Sequence, residues 1–351
     1  MHSVVFVIPG RLDTPTGGYL YNRRMAEGLR QHGWSVEVRE LDESFPYPTP
    51  AALANSSEVL AGFRDGARLL IDGLALSAMP EVIEHEASRL RIAAIVHLPL
   101  GADVSLERET AAALYEGERR ALAAAALVIV TGAATLAMLD RYGIARDKIA
   151  VIEPGTTRAP LARGSDGAPL QLLAVATLNP NKGHEILLEA LAAIPHNNWH
   201  LTCAGSVTRH PPTVDRVRAT IRRLHLEDRV TLVGELDAAK LHECYDRADV
   251  FVLATRQETY GMAVAEALAR GLPVVSTTTG AIPDLVGTDA GLLAPPGNIE
   301  ALAGALARVI GDARLRARLA DGAKQARVRL RSWDEAVEEM IAALGRLDSN
   351  G

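Results

Sequence analysis

The 351-residue chain carries 43 acidic and 37 basic residues, a net charge of −6, which argues against a protein that wraps nucleic acid by counterion release. With 48% apolar and 4% aromatic residues it reads as a globular chain whose length suits two domains of about 150 residues each. The only cysteines, Cys203 and Cys244, lie far apart in no CxxC spacing, which argues against a disulfide framework or structural zinc and points to a reducing, cytoplasmic home.

The opening MHSVVFVIPGR lacks a basic n-region and enters an apolar run directly, so no signal peptide is expected. Short β-branched runs predict strands at Ser3–Ile8, Ser35–Arg39, Leu69–Gly73, Ile92–His97 and Leu127–Thr131. Between the first two, Tyr21, Met25 and Leu29 recur at helical spacing and Gly33 ends the run, predicting a helix over Gly18–Gln31. The apolar stretch Ala121 to Val130 is about half of the roughly 20 residues a bilayer span needs. From Glu153 the sequence EPGTTRAPLARGSDGAP has no apolar period and predicts a linker. Beyond it, strands are expected at Gln171–Thr177, His200–Ala204, Arg229–Val233, Val250–Thr255 and Pro273–Ser276. Several of these runs are apolar throughout, as in parallel strands covered on both faces by crossover helices. The basic run Arg308–Arg331 is expected to be a helix with a solvated face and with Leu315, Leu319 and Val328 on its buried side. Contact with an anionic membrane surface is the lesser alternative.

The expected architecture is α/β, two Rossmann-like doubly wound parallel sheets facing a central cleft. Such sheets bind ligands at the carboxyl ends of their strands, so candidate residues lie just after each predicted strand. Lys182-Gly183 opens the helix predicted from His184, where free N–H groups and a mobile cation suit a diphosphate. A solvated lysine in a Pro/Asn turn is the plainer alternative, and no P-loop is present. Gly17-Gly18 occupies the first strand-to-helix loop, where a turn of positive φ and close approach to a ligand are equal readings. His97 ends the strand IAAIVH; a lone histidine is more often packed than reactive, but strand-end position favours function. Glu258 is expected in a loop, and Glu266 inside a helix from Met262 to Arg270, eight residues on. Their spacing lets them flank one cavity without touching. Glu266 lies among Ala263, Val264, Ala265, Ala267 and Leu268, so its carboxylate needs a partner to offset desolvation; ribose hydroxyls would serve.

Together these residues resemble the retaining glycosyltransferases of family 4, which have the two-Rossmann GT-B fold. The resemblance is strongest from Ala174 to Gly297. It runs through Val175 to Gly183 and Glu258, Tyr260, Gly261 and Glu266. It continues in Gly271-Leu272-Pro273-Val274-Val275, Gly280-Ala281-Ile282-Pro283-Asp284 and Gly291-Leu292-Leu293 with Pro296-Gly297. It implies a nucleotide-diphosphate sugar donor on a C-terminal domain over 163–332. The implied acceptor domain spans 1–162 and is joined by a crossover helix over 333–351. By the same resemblance Lys182 meets the diphosphate and Glu266 the ribose. Glu258, with backbone N–H groups from Tyr260, Gly261, Met262 and Ala263, holds the donor sugar and phosphate. Gly17 and Gly18 admit the diphosphate, and His97 contacts the donor sugar. Gly205, Glu235 and Leu236 fall at strand ends on the nucleotide side. Where the family carries an arginine this chain has Thr177, with Arg256 or Arg209 as substitutes for its charge, and Asp284 replaces a usual glutamate.

The implied reaction is transfer of the sugar to a hydroxyl acceptor with retention, from a UDP-, GDP- or ADP-sugar. Neither a cofactor nor a metal is expected, and no Asp-x-Asp chelator is present. Two rivals stay open: a nucleotide-sugar epimerase on the same fold, and, because of Thr177, a non-catalytic nucleotide-sugar-binding module.

Overall fold

The computed structural model describes residues 2–165, 167, 169–195 and 197–349, so the last two positions of the expected crossover helix lie outside the described residues. The chain divides into two compact units, Met1–Gly155 with Arg331–Gly351, and Thr156–Leu330. The division thus falls before Thr156 and after Leu330, rather than after 162 and 332. The linker is pinned to the second unit: Ala162 N–H donates to the Arg270 carbonyl at 2.9 Å, Arg163 pairs with Asp246, and Ser165 donates its N–H and hydroxyl to Asp249.

In the first unit six strands form one parallel sheet: β1 Ser3–Pro9, β2 Ser35–Leu41, β3 Arg68–Asp72, β4 Arg91–Val96, β5 Leu127–Val130 and β6 Ile149–Val151. Their order is β2-β1-β3-β4-β5-β6, the flavodoxin-like arrangement, whose direction reverses between β1 and β3. Successive residues of β4 serve opposite cores, Ile92, Ala94 and Val96 on one face, Ala93 and Ile95 on the other. That is why the run is apolar throughout instead of alternating. The helix Gly17–Gln31 covers one face through Tyr21, Met25 and Leu29. Against it packs Trp333–Ser349, through Ala336, Val337 and Met340. A Cβ on Gly28 would lie 2.3 Å from Val337 Cγ2, so this glycine sets the helix-to-helix distance.

The second unit holds β7 Leu170–Val175, β8 Trp199–Ala204, β9 Val230–Gly234, β10 Val250–Val252, β11 Val274–Thr277 and β12 Gly291–Ala294. Their order, β12-β11-β10-β7-β8-β9, is the Rossmann order 3-2-1-4-5-6, with its switch point between β7 and β10. Here too the faces alternate: Leu172 and Ala174 belong to one core, Leu173 to the other.

Three expectations are corrected. The strands β6 and β12 were not predicted; both are sheet edges, of 3 and 4 residues. Gly17 and Gly18 are the first two residues of their helix rather than a loop, and neither has positive φ. The basic run is not one helix: Ile299–Gly311 ends at Asp312, whose carboxylate accepts from the Arg314 and Leu315 N–H groups and starts Ala313–Ala326. Leu315 and Leu319 are buried, but Val328, in the turn Arg327–Arg329 after that helix, is 81% exposed. Nine residues at about 100° each would carry Val328 to the face opposite Leu319 even in an unbroken helix.

Candidate functional site

Each unit gathers polar side chains at the switch point of its own sheet. In the second unit the β7 loop ends in a turn over Pro180–Lys182, capped by Asn179, whose side chain accepts from the Asn181 and Lys182 N–H groups. Gly183 follows with φ 64°, and a Cβ there would lie 2.0 Å from the Ala254 carbonyl oxygen. Only glycine meets both conditions. The β10 loop is tied to this turn, since Arg256 N–H and the Thr255 hydroxyl both donate to the Asn181 carbonyl, at 2.7 and 2.9 Å. Thr277, ending β11, donates to the Thr255 carbonyl. A Cβ on Gly280 would lie 2.1 Å from the Glu258 carbonyl oxygen, and Ala281 N–H donates to Thr259. Three strand-end loops therefore brace one another.

Into this frame project Lys182 and Glu258, whose Nζ and Oε2 are 2.6 Å apart with side chains 25% and 15% exposed. Glu258 Oε1 also accepts from Thr259 N–H at 3.2 Å. Two residues on, Tyr260 is buried and Gly261 turns the chain with φ 97° into the helix Met262–Ala269. No side chain caps that helix, leaving the half-buried Met262 and Ala263 to present its first N–H groups. Glu266 lies one turn inside. Its Oε2 accepts from the Tyr245 hydroxyl at 3.0 Å, and the Arg270 guanidinium stacks 4.3 Å from the Tyr245 ring. Burial, with Glu266 beside it, holds the Tyr245 phenol far above its ordinary range, so it stays a donor. The expected partner for this carboxylate is thus present within the protein, and burial alone does not require a ribose.

Other residues expected in this unit are less central. Thr177 follows β7, and its N–H would lie 2.9 Å from a Cβ on Gly205. Gly205 fits because that Cβ would be 2.1 Å from the Ala176 carbonyl oxygen. Glu235 is exposed and pairs with Arg209 at 3.1 Å, while Leu236 is half-buried; both follow β9 at the sheet edge. Arg209 is thereby occupied at that edge. Arg256 has an exposed side chain, and its backbone is joined to the Lys182 turn. His184, which follows Gly183, is buried, with neither ring nitrogen hydrogen-bonded among the described residues. Burial and the Lys182 charge push its imidazole down to about 4.

The first unit is built from different chemistry. His97 follows β4 and is half-buried, its carbonyl accepting from the Thr131 and Thr135 hydroxyls at 3.4 and 3.1 Å. A Cβ on Gly18 would lie 3.0 Å from His97 Cδ2, so Gly18 is small to admit the imidazole rather than to make a turn. The Tyr21 ring meets it edge-on at 5.3 Å. Its Nε2 is 3.2 Å from Asn22 Oδ1 and 3.7 Å from Asp72 Oδ2. Burial lowers the imidazole below its ordinary value, against the opposing pull of Asp72. Gly17, the helix's first residue, is exposed.

Sequence reasoning missed the polar residues that hold these loops. Asn22 and Asp72 are 0% and 2% exposed. Glu118, 1% exposed, accepts from Leu100 N–H at 2.9 Å, Gly101 N–H at 3.3 Å, the Ser77 hydroxyl and the Tyr142 hydroxyl. Burial pushes its carboxyl above the ordinary range even against those donors. A charge ending the apolar run RLLID could have flagged Asp72; Asn22 and Glu118 sit in polar helix sequence that hides them. Among the described residues, no group of three or more His, Cys, Asp or Glu could hold a metal ion, and no helix is long and apolar enough to cross a membrane.

The family model described as glycosyl transferases group 1 matches residues 160–326, all within the second unit. A D-inositol 3-phosphate glycosyltransferase from Xylanimonas cellulosilytica is 30% identical over 64% of this chain and 58% of its own length. Mannosylfructose-phosphate synthase from Agrobacterium fabrum is 28% identical over 58% and 49%. The chain spans about half the length of the curated relatives it matches. Among solved structures, sucrose-phosphate synthase from Thermosynechococcus elongatus shares the fold with a TM-score of 0.84, at 21% identity and full coverage of both chains. HepE from Anabaena, solved with UDP and glucose, shares it at 0.77 with 19% identity, covering 99% of this chain and 100% of its own. By this match residues 160–326 are similar to the glycosyl transferases group 1, and by these relatives more than half of the chain is similar to glycosyltransferases.

Proposed function

We propose that the protein is a retaining glycosyltransferase that moves a sugar from a nucleotide-diphosphate sugar to a hydroxyl acceptor, as family 4 members do. The observation that carries this reading is the Lys182–Glu258 pair at the β7/β10 switch point, beside the uncapped N-terminus of Met262–Ala269. A lysine, a run of free N–H groups and a carboxylate are what a diphosphate joined to a hydroxyl-bearing sugar requires: cation and N–H groups for the phosphates, carboxylate for the hydroxyls. In this reading the donor's phosphate exchanges for Glu258 as the partner of Lys182, and Glu258 turns to the sugar. Tyr245 aims Glu266 at the ribose. The likeness to a fold solved with UDP and glucose supports a donor of this class.

Cleavage of the sugar–phosphate bond builds negative charge on the leaving diphosphate while the sugar becomes oxocarbenium-like. Lys182 and the helix N–H groups oppose that charge, and they hold the departing group better than the intact donor. The leaving phosphate takes the acceptor's proton, so no metal and no separate protein base is needed. His97 contacts the donor sugar.

Calorimetry with UDP, GDP and ADP and with UDP-glucose, GDP-mannose and ADP-glucose, followed by anomeric analysis of the product, tests this. One nucleotide family should bind, and wild-type product should keep the donor's anomeric configuration. Folded Lys182→Ala and Glu258→Gln proteins should lose transfer. Full transfer by both variants, or an inverted product, would refute the assignment. Tight binding without turnover on a broad acceptor panel would favour a binding module.

A further inference from the structure

The polar trio beside the first unit's switch point fixes one feature of His97. Asp72 follows the apolar run of β3 and starts the helix Gly73–Leu76, its Oδ1 accepting from Leu74 N–H at 2.9 Å. Its Oδ2 lies 2.6 Å from Asn22 Nδ2. A carboxylate accepts hydrogen bonds and does not donate them, so it dictates which end of the Asn22 amide faces it. The NH2 must point to Asp72, and the amide oxygen is left facing His97. An amide oxygen only accepts, so the His97 nitrogen 3.2 Å away, Nε2, must carry the proton. The Cδ2–Nε2 edge is packed on Gly18 and Asn22, while the half-buried ring has no recorded partner for Nδ1 among the described residues and that atom is not sealed from solvent.

We propose that Asp72 and Asn22 are positioning residues that hold His97 as the neutral imidazole protonated on Nε2. Nδ1 is then offered outward as a hydrogen-bond acceptor, and the ligand group it meets is a donor, a sugar hydroxyl and not a phosphate oxygen. The ligand assignment rests on the proposed glycosyl-transfer reading; the tautomer does not. Burial of the imidazole, which disfavours the charged form, agrees with a neutral ring. The arrangement parallels the way a histidine's free nitrogen is commonly set by what its other nitrogen bonds.

The first test needs no ligand. In full-length protein labelled with 15N-histidine at pH 7, with His97 assigned by its loss in His97→Asn, Nε2 should be the protonated nitrogen and Nδ1 the bare one. A protonated Nδ1, alone or together with Nε2, overturns the proposal. In Asn22→Ala and Asp72→Asn, whichever folds, the two tautomers should mix; an unchanged spectrum in a folded variant overturns the positioning role. If neither folds, the wild-type spectrum still decides the tautomer. The second test compares nucleotide with sugar nucleotide in the calorimetric panel. Asn22→Ala should weaken the sugar nucleotide by about tenfold and leave the bare nucleotide unchanged. Equal weakening of both would mean that His97 meets phosphate, and would overturn the hydroxyl assignment. If no panel member binds wild type, the transferase reading fails while the nitrogen spectra still report on the trio.

Discussion

The two switch points answer the same topological demand with opposite chemistry. Between β7 and β10 sits an ion pair, Lys182 with Glu258, each partly exposed. Near the β1/β3 switch sits an imidazole, His97, braced by a buried amide and a buried carboxylate. A partly exposed ion pair can trade its partner for an incoming charge, because water still screens the separated groups. A buried amide–carboxylate brace cannot turn without stranding a polar group, so it fixes one orientation. The second unit is therefore suited to charged parts of a ligand, the first to hydroxyls.

The largest expected break in that comparison comes from Lys182→Ala. Removing the cation should lower kcat by about 10²–10³-fold, in the range found for lost charge-stabilising donors. Glu258→Gln should lose less nucleotide affinity than Lys182→Ala but a comparable share of transfer. Steady-state kinetics with the donor identified by calorimetry reads both. If Lys182→Ala changes KM alone, the lysine binds the ground state and transition state equally, and the charged-site reading weakens.

A second prediction concerns the neutral imidazole lodged beside the charged pair. His184 is buried, and its folded value of about 4 lies below its ordinary 6.5. The unfolded chain therefore binds the extra proton in this window. The contribution is fully present above pH 6.5 and is lost as pH falls toward 4, amounting to about 3 kcal/mol. His184→Leu should flatten this slope in urea unfolding measured at several pH values. An unchanged slope would show that other groups carry it.

Gly28→Ala should act on the first unit alone. Its Cβ would lie 2.3 Å from Val337 Cγ2, and overpacking of this kind costs about 1–3 kcal/mol. A calorimetric melt should show the transition of the unit containing Met340 and Met25 lowered, with nucleotide affinity retained. The smallest effect is expected from Arg209→Ala, which removes an exposed pair with Glu235. Stability should move by less than about 0.5 kcal/mol. A large loss of donor affinity there would assign the missing-arginine role to Arg209.

What the sequence determined by itself was whatever local spacing encodes. Runs apolar on both faces announced parallel strands, and Gly33, Gly183 and Gly261 marked ends of elements. Lys182 and Glu258 were found because strand-end position singles out candidates in such folds. The edge strands Ile149–Val151 and Gly291–Ala294 were missed; both are partly exposed, whereas the equally short central strands Leu127–Val130 and Val250–Val252 are buried throughout and were found. The exposed Val328 was misplaced because nine residues at about 100° each put it opposite Leu319, and the helix ends at Ala326 before reaching it.

Only the tertiary structure decided partners. Lys182 and Glu258 are 76 positions apart, Asn22 and Asp72 are 50, and Asn22 and His97 are 75. No local pattern connects residues so distant. Glu266 looked in need of a ligand until folding brought Tyr245 to it. Gly18 read equally as a turn residue or as room for a ligand until the His97 ring packed on it. The physical reason is the same in each case: a buried polar group is accounted for by whatever donor or acceptor the fold places within about 3 Å, and chain neighbours seldom supply it.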